Sequence, residues 1–519
     1  MEAVMVAAPR GLKTAERVLF LILGCWLAAA AVLVDVEYYD GFEAVANASF
    51  FLGKTSYYVA NRVPLMSLLI LTGEAAKHLL GLHPLDVRPH HAITALLNFG
   101  CLLFVYRLLA QNFGRSFKTL AAFFAACCTF VFFSYAPFIS HDVFPGVILL
   151  AMLFLAERFR AGPDKKTWLL MVALGAAAAL IKQTFAVFWV LVLVSHLGAG
   201  LPEKSGRPLR AFFLLLAGAA ASGAVTWIVT GWALEGGFPD TPLLLRPLKQ
   251  IQGVGGLHTG IRELLFPWWV YARNFWAYGM AAMLLVVPGL VAAMRGSRLQ
   301  KTVALSWILS LGILHLLSFR EVRYMAFLAP LTAFLIVPPV EWIFRRKKAL
   351  ALFLLILLAD AAIASSEAAM IFHPFYRKNP AREFLEPLKT KGRDGRVFID
   401  FDMLSFFPKN QDSPLAGDPY HRLFHLGWHH IMLLYGYQPA QLAFIRYPDQ
   451  WNPALLQGGS CVLIKAEGTV VNGQASRLFP YTTKNLLRLS LYRDSAEGLT
   501  LRRVYTQNGG TSKLTGACP

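Results

Sequence analysis

Nine stretches of mostly apolar residues constrain this chain more than any other feature. They lie near 18–34, 91–109, 118–135, 144–160, 211–231, 275–293, 302–317, 325–343 and 349–365. A helix crosses the hydrocarbon core of a bilayer with roughly 20 residues, and these runs approach or reach that length. Backbone amides in hydrocarbon must be satisfied within the segment, so the runs predict a bundle of helices. Residues 168–198 hold two shorter runs divided at "LIKQT", where Lys182 interrupts the apolar pattern. Those two read as short, tilted or re-entrant helices. With 56% hydrophobic and 15% charged residues, the composition is that of a polytopic membrane protein.

The segment 64–82, "PLMSLLILTGEAAKHLLGL", is apolar enough to span, yet it carries Glu74, Lys77 and His78. Charge at bilayer depth is costly, whereas an amphipathic helix lying in the interface avoids the cost. The basic loops favour the flat arrangement. With a cytoplasmic N-terminus and 64–82 not crossing, the loops 107–118, 158–166, 203–210, 295–301 and 345–348 all face inward, as the positive-inside bias requires. That threading predicts about 11 crossings plus one juxtamembrane helix and exports everything after about residue 366. The net charge of +19 is thus a topology signal, and no basic stretch with interleaved aromatics points to nucleic acid. Arg10, Lys13 and Arg17 precede the first run, which reads as a retained anchor rather than a cleaved signal.

The exported tail is less hydrophobic. "NPAREFLEPLK" begins with Asn379 as an N-cap and Pro380 at the first helical position, and "RVFIDFD" and "SCVLIKAEG" read as strands. The division predicted is a transmembrane module at 1–365 and a small extracytoplasmic α/β domain at 366–519. Cys25, Cys101, Cys127 and Cys128 lie in apolar runs; Cys461 and Cys518 could pair only outside the cytoplasm. His421, His425 and His429 share a helical spacing, for which a surface helix is the simpler reading than a metal site.

Unusual polar groups collect on the predicted outer face. Asp35, Glu37, Asp40 and Glu43 crowd beside Tyr38 and Tyr39 directly after the first run. Arg62 stands in "NRVPL", His141 and Asp142 in "FISHDVFPG", Lys182 in "AALIKQT", and Arg320, Arg323 and Tyr324 in "REVRYMAFLAP". In this order and sidedness the motifs resemble the GT-C class of polytopic glycosyltransferases, in the bacterial branch related to protein O-mannosyltransferases and the lipid A aminoarabinose transferase. The resemblance covers roughly the first 345 residues.

Membership would imply transfer of a sugar from a polyprenyl-phosphate-linked donor to a lipid, glycan or protein acceptor at the outer face of a bacterial inner membrane, with inversion. A hydroxyl acceptor is a weak nucleophile, so a carboxylate must take its proton, while the departing phosphate needs positive charge nearby. "DVEYY" matches the family's D-x-x-Y-Y spacing at Asp35, the leading base, with Glu37 and Asp40 as rivals and Asp142 as a second acidic motif. Crowded carboxylates raise one another's pKa, which would suit a base working near neutrality. Arg62, Lys182, Arg320, Arg323 and Arg273 are the candidate donor-phosphate ligands, and Tyr38, Tyr39, His141 and Tyr324 the candidate substrate contacts. For Arg62 the alternative is a snorkelling interfacial side chain, and for Asp142 a helix cap. The aromatic stretch 266–278 reads as an interfacial belt. The resemblance leaves a divalent metal open. Membrane lipids are the surrounding partner. Competing readings are a transporter or flippase, in which internal repeats and midplane polar groups would be expected, and a non-enzymatic envelope scaffold.

Overall fold

The computed structural model describes residues 10–35, 37, 39–54, 64–139, 144–199, 207–233, 269–316 and 322–372, with residues 377 and 434 and five short C-terminal strands. The helices are α1 (Arg10–Leu33), α2 (Tyr39–Phe51), α3 (Pro64–Leu69), α4 (Leu71–Leu79), α5 (Arg88–Phe113), α6 (Phe117–Cys127), α7 (Phe130–Tyr135) and α8 (Phe144–Ala161). They continue as α9 (Lys165–Ile181), α10 (Val187–Gly198), α11 (Arg207–Ala233), α12 (Val270–Arg273), α13 (Met280–Arg295), α14 (Arg298–Leu316), α15 (Ala329–Phe344) and α16 (Lys347–Ala368). Among the described residues, five segments are long and apolar enough to cross a membrane alone: Gly11–Leu33, Arg88–Phe113, Arg210–Gly231, Arg323–Phe344 and Lys347–Ala368. The other expected crossings correspond to shorter helices.

Two sequence expectations are corrected. The run 118–135 is two helices, because Thr129 breaks the ladder and its hydroxyl caps α7 by accepting from the Phe132 amide. The segment 64–82 is also two helices, α3 and α4, of 6 and 9 residues. Each is far below the roughly 20 residues of a crossing. Its charges are handled differently from the interfacial solvation read from the sequence: Glu74 and Lys77 are buried. The break at Lys182 appears as expected, between α9 and a 3-10 turn at Gln183–Ala186.

The core is a continuous interhelical layer of Phe, Leu, Ala and Val, in which α15 is buried on most sides. Closest packing joins α15 to α6 and α13, α1 to α5, and α9 to α11. α13 starts without a side-chain cap of its own, since its N-cap is Gly279 at φ +86. A Cβ there would strike the Ala125 carbonyl of α6, so only glycine fits. The missing cap comes from α16: the buried Asp360 carboxylate accepts the Met280 and Ala281 amides, both at 2.8 Å.

The helices alternate in direction and the contacts mark two ends. At one end Glu16 takes Arg115 and Tyr106, Glu341 takes Lys118 at 3.1 Å, and Arg298 lies 3.5 Å from Glu157. These pairs lie in or beside four of the loops that the sequence assigns inward, 107–118, 158–166, 295–301 and 345–348. At the other end α1 and α7 meet the close of α16, with Trp26 Nε1 donating to Ala368 O at 3.0 Å and Ser134 Oγ to Glu367 at 2.8 Å.

In the C-terminal region β1 (Val397–Asp400), β2 (Leu442–Ile445) and β3 (Cys461–Leu463) form a parallel sheet of order β2-β1-β3, and β4 (Arg503–Tyr505) pairs antiparallel with β5 (Thr511–Lys513). β1 and β3 are the two strands read from the sequence.

Candidate functional site

The end of the bundle carrying the close of α1 and the start of α5 holds two of the sequence-derived residues, Asp35 and Glu37. α1 stops at Leu33, and the chain turns inward rather than out to solvent. Val34 is fully buried, and Asp35 and Glu37 are 4% and 3% exposed. The first acidic loop is therefore no solvated loop at these two positions.

The two acids are surrounded differently. Glu37 Oε2 lies 2.7 Å from His91 Nε2 and accepts the Ile139 amide at 2.9 Å. Asp35 lies within electrostatic reach of Arg88. Of the other acids, Asp40 and Glu43 fall on α2 rather than in a loop, and Glu43 is buried.

Beside this loop stands a second carboxylate hub. Glu74, on α4, faces Lys77 Nζ at 2.7 Å, His90 Nε2 at 2.7 Å and His78 Nε2 at 2.9 Å, and accepts from the Ser49 hydroxyl of α2. Lys77 also donates to Pro84 O at 3.0 Å. Burial alone would push the Glu74 carboxyl up, but the His90 hydrogen bond and the Lys77 charge outweigh it and hold it at about 2. The hub joins α2, α4 and α5 beneath the loop.

On the neighbouring elements, Lys182 ends α9 in an extended conformation, and its Nζ stands 4.6 Å from the Tyr324 ring centroid. The buried Arg323 guanidinium lies 5.4 Å from the same centroid. An aromatic face recovers part of the hydration each cation loses. α3 packs on both α2 and α9.

The structure thus describes Asp35, Glu37, Lys182, Arg323 and Tyr324 among the expected site residues. Tyr39 and Asp40 open α2 and Arg273 closes α12, as backbone positions only. Tyr38, Arg62, His141, Asp142 and Arg320 lie outside the described residues, as do His421, His425 and His429. Among the described residues, no three His, Cys, Asp or Glu side chains form a group suited to a metal ion. Sequence reading missed His90 and His91. Their signal was "RPHHA", two imidazoles at the start of an apolar helix, where neither can be left unpaired cheaply.

The sequence matches no protein-family model and no curated protein. The three-dimensional structure is similar to the crystal structure of ArnT from Cupriavidus metallidurans in the apo state, with a TM-score of 0.53 and 12% identity over 87% of this chain and 93% of that one. At that identity the likeness is one of fold, and it extends across nearly the whole of both chains. The apolar runs read from the sequence and the path of the backbone therefore meet in one conclusion: this is a polytopic helical membrane protein with the fold of ArnT.

Proposed function

We propose that this chain is a membrane glycosyltransferase that moves a sugar from a polyprenyl-phosphate-linked donor to a hydroxyl of a lipid, glycan or protein acceptor at the outer face of the membrane. The observation that carries the reading is the convergence of Lys182 and Arg323 on Tyr324, together with the buried Asp35 in the turn after α1. Two cations held together at a membrane-protein end suit a phosphate group at headgroup level. The ArnT-like fold supports the same reaction class.

In the reaction, Asp35 accepts the acceptor's hydroxyl proton as that oxygen bonds to the anomeric carbon. The bond from that carbon to the phosphate oxygen breaks, and polyprenyl phosphate leaves with the electron pair. Lys182 and Arg323 stabilise the charge that develops on the leaving group. A single displacement inverts the anomeric configuration. Arg62, Arg273 and Arg320 would complete the phosphate site, with Tyr38, Tyr39, His141 and Asp142 on the sugar and acceptor side. The transferase module spans 1–365 and an extracytoplasmic domain 366–519, at a bacterial inner membrane facing the periplasm.

The test uses the purified full chain in liposomes with a set of polyprenyl-phosphate sugars. Charge-assisted hydrogen bonds contribute about 1.5–3 kcal/mol, so Lys182→Ala and Arg323→Ala should each weaken donor binding roughly ten- to hundredfold. Unchanged donor affinity in both variants overturns the phosphate site. Donor binding followed by movement across the bilayer, with no transfer to any acceptor, would make the chain a flippase instead.

A further inference from the structure

His91 is fully enclosed in the first turn of α5, and each ring nitrogen has a different partner. Nδ1 is 3.0 Å from Val34 O, and Nε2 is 2.7 Å from Glu37 Oε2. Val34 and Glu37 are the described residues on either side of Asp35. One rigid ring therefore holds the backbone before the acid and the side chain after it.

The partners fix the proton inventory. A carbonyl only accepts, so Nδ1 carries a proton. Nε2 then faces the carboxylate either as a second N–H or as the acceptor of a carboxylic O–H. The same Glu37 oxygen also takes the Ile139 amide at 2.9 Å, immediately before the segment 140–142 that carries the second acidic motif. The ring stacks edge-on against Phe138, centroids 6.2 Å apart, and Asn98 of α5 donates to Ala136 O at 3.1 Å. Gly41 completes the fit from α2: an added Cβ would overlap the Glu37 carboxylate, which cannot swing aside without leaving its partners.

We propose that His91 is a positioning residue, a clamp that acts through Glu37 and Val34 to hold Asp35 in place and tie its loop to the segment bearing the second acidic motif. Asp35 meets the acceptor, and His91 touches neither donor nor acceptor. The proposal rests on the transferase reading for its kinetic readout only, since the clamp itself is measurable without turnover.

The experiment measures amide hydrogen exchange and sugar transfer on the full chain in detergent or nanodiscs, for wild type, His91→Ala, His91→Gln and Gly41→Ala. In His91→Ala, peptides covering 34–37 and 136–139 should exchange roughly tenfold faster or more, as expected for a lost buried charge-assisted bond, while those from α13 to α15 stay protected. His91→Gln, whose amide can reach Glu37 but not Val34 O, should fall between wild type and alanine. Gly41→Ala, which keeps every polar group but displaces Glu37, should loosen the same two segments. For transfer, kcat should drop roughly ten- to hundredfold in His91→Ala with donor KM within about threefold, because the donor site is untouched.

Unchanged exchange at 34–37 and 136–139 in both His91→Ala and Gly41→Ala overturns the clamp. Loosened segments with an unchanged kcat overturn its role in positioning Asp35. Loosened segments in a protein whose wild type transfers no sugar uphold the clamp and sink the transferase reading instead.

Discussion

Asp35 and Glu37 stand two positions apart, equally buried, and the structure gives them different work. Glu37 is held by an imidazole and a backbone amide; Asp35 lies within electrostatic reach of Arg88. The sequence placed the acids correctly after the first helix, through the spacing of "DVEYY", but could not rank them by surroundings. His91 is 54 residues from Glu37 and Ile139 is 102, and no local pattern reports such distances. Asp35→Asn should express and bind donor as wild type does, yet lose transfer. The amide keeps the shape and much of the hydrogen bonding but cannot take a proton from a hydroxyl. A placed general base contributes about two to four decades in rate, so turnover should fall by that amount at saturating donor. Near-full turnover of Asp35→Asn in a transfer assay would remove the base from this position, and Asp40 would be examined next.

At the scale of elements, breaks in helices carry as much information as the helices. The break at Lys182 was legible because a lysine interrupts an apolar run. The breaks at 128–129 and at Gly279 were not, since apolar residues continue through both and the causes are a Thr cap and a close approach to α6. Likewise Asp360 reads as an intruder in an apolar run until α13 supplies the two amides it caps. The α2–α4–α5 hub permits a pH test. The Glu74 carboxyl sits at about 2, below its ordinary 4.5. A lowered carboxylate contributes stability that is complete above the ordinary value and is lost as pH falls toward the folded one. Glu74→Gln should therefore melt below wild type at pH 6 to 7, by the equivalent of about 3 kcal/mol at most, and the gap should shrink between pH 4.5 and 2. A gap that stays constant to pH 3 would show that the hub acts by packing rather than by charge.

For the whole molecule, the decisive pattern is the division of polar groups between two ends. Exposed ion pairs such as Lys118–Glu341 add little stability, but they show which loops share an end, and these are the loops that the positive-inside bias groups together. Charge statistics made that grouping legible before any contact was known. The sheet order β2-β1-β3 was not legible, because the partners of β1 are separated from it by long stretches of chain that no periodicity bridges. The sidedness itself is open to direct measurement. In a cysteine-free background, Gly162→Cys and Ser297→Cys sit in basic loops at the Glu16–Arg115 end, and both positions are exposed. Asp240→Cys and Asp412→Cys fall in segments predicted to face outward. With intact cells and an impermeant thiol reagent, the first two should stay unlabelled until the membrane is opened, and the second two should react at once. The same reagent must label all four after permeabilisation, so that burial is not mistaken for sidedness. Labelling of Gly162→Cys but not Asp240→Cys in intact cells would invert the molecule. Asp35, Lys182 and Arg323 would then face the cytoplasm, and a donor presented on the outer face could not reach them.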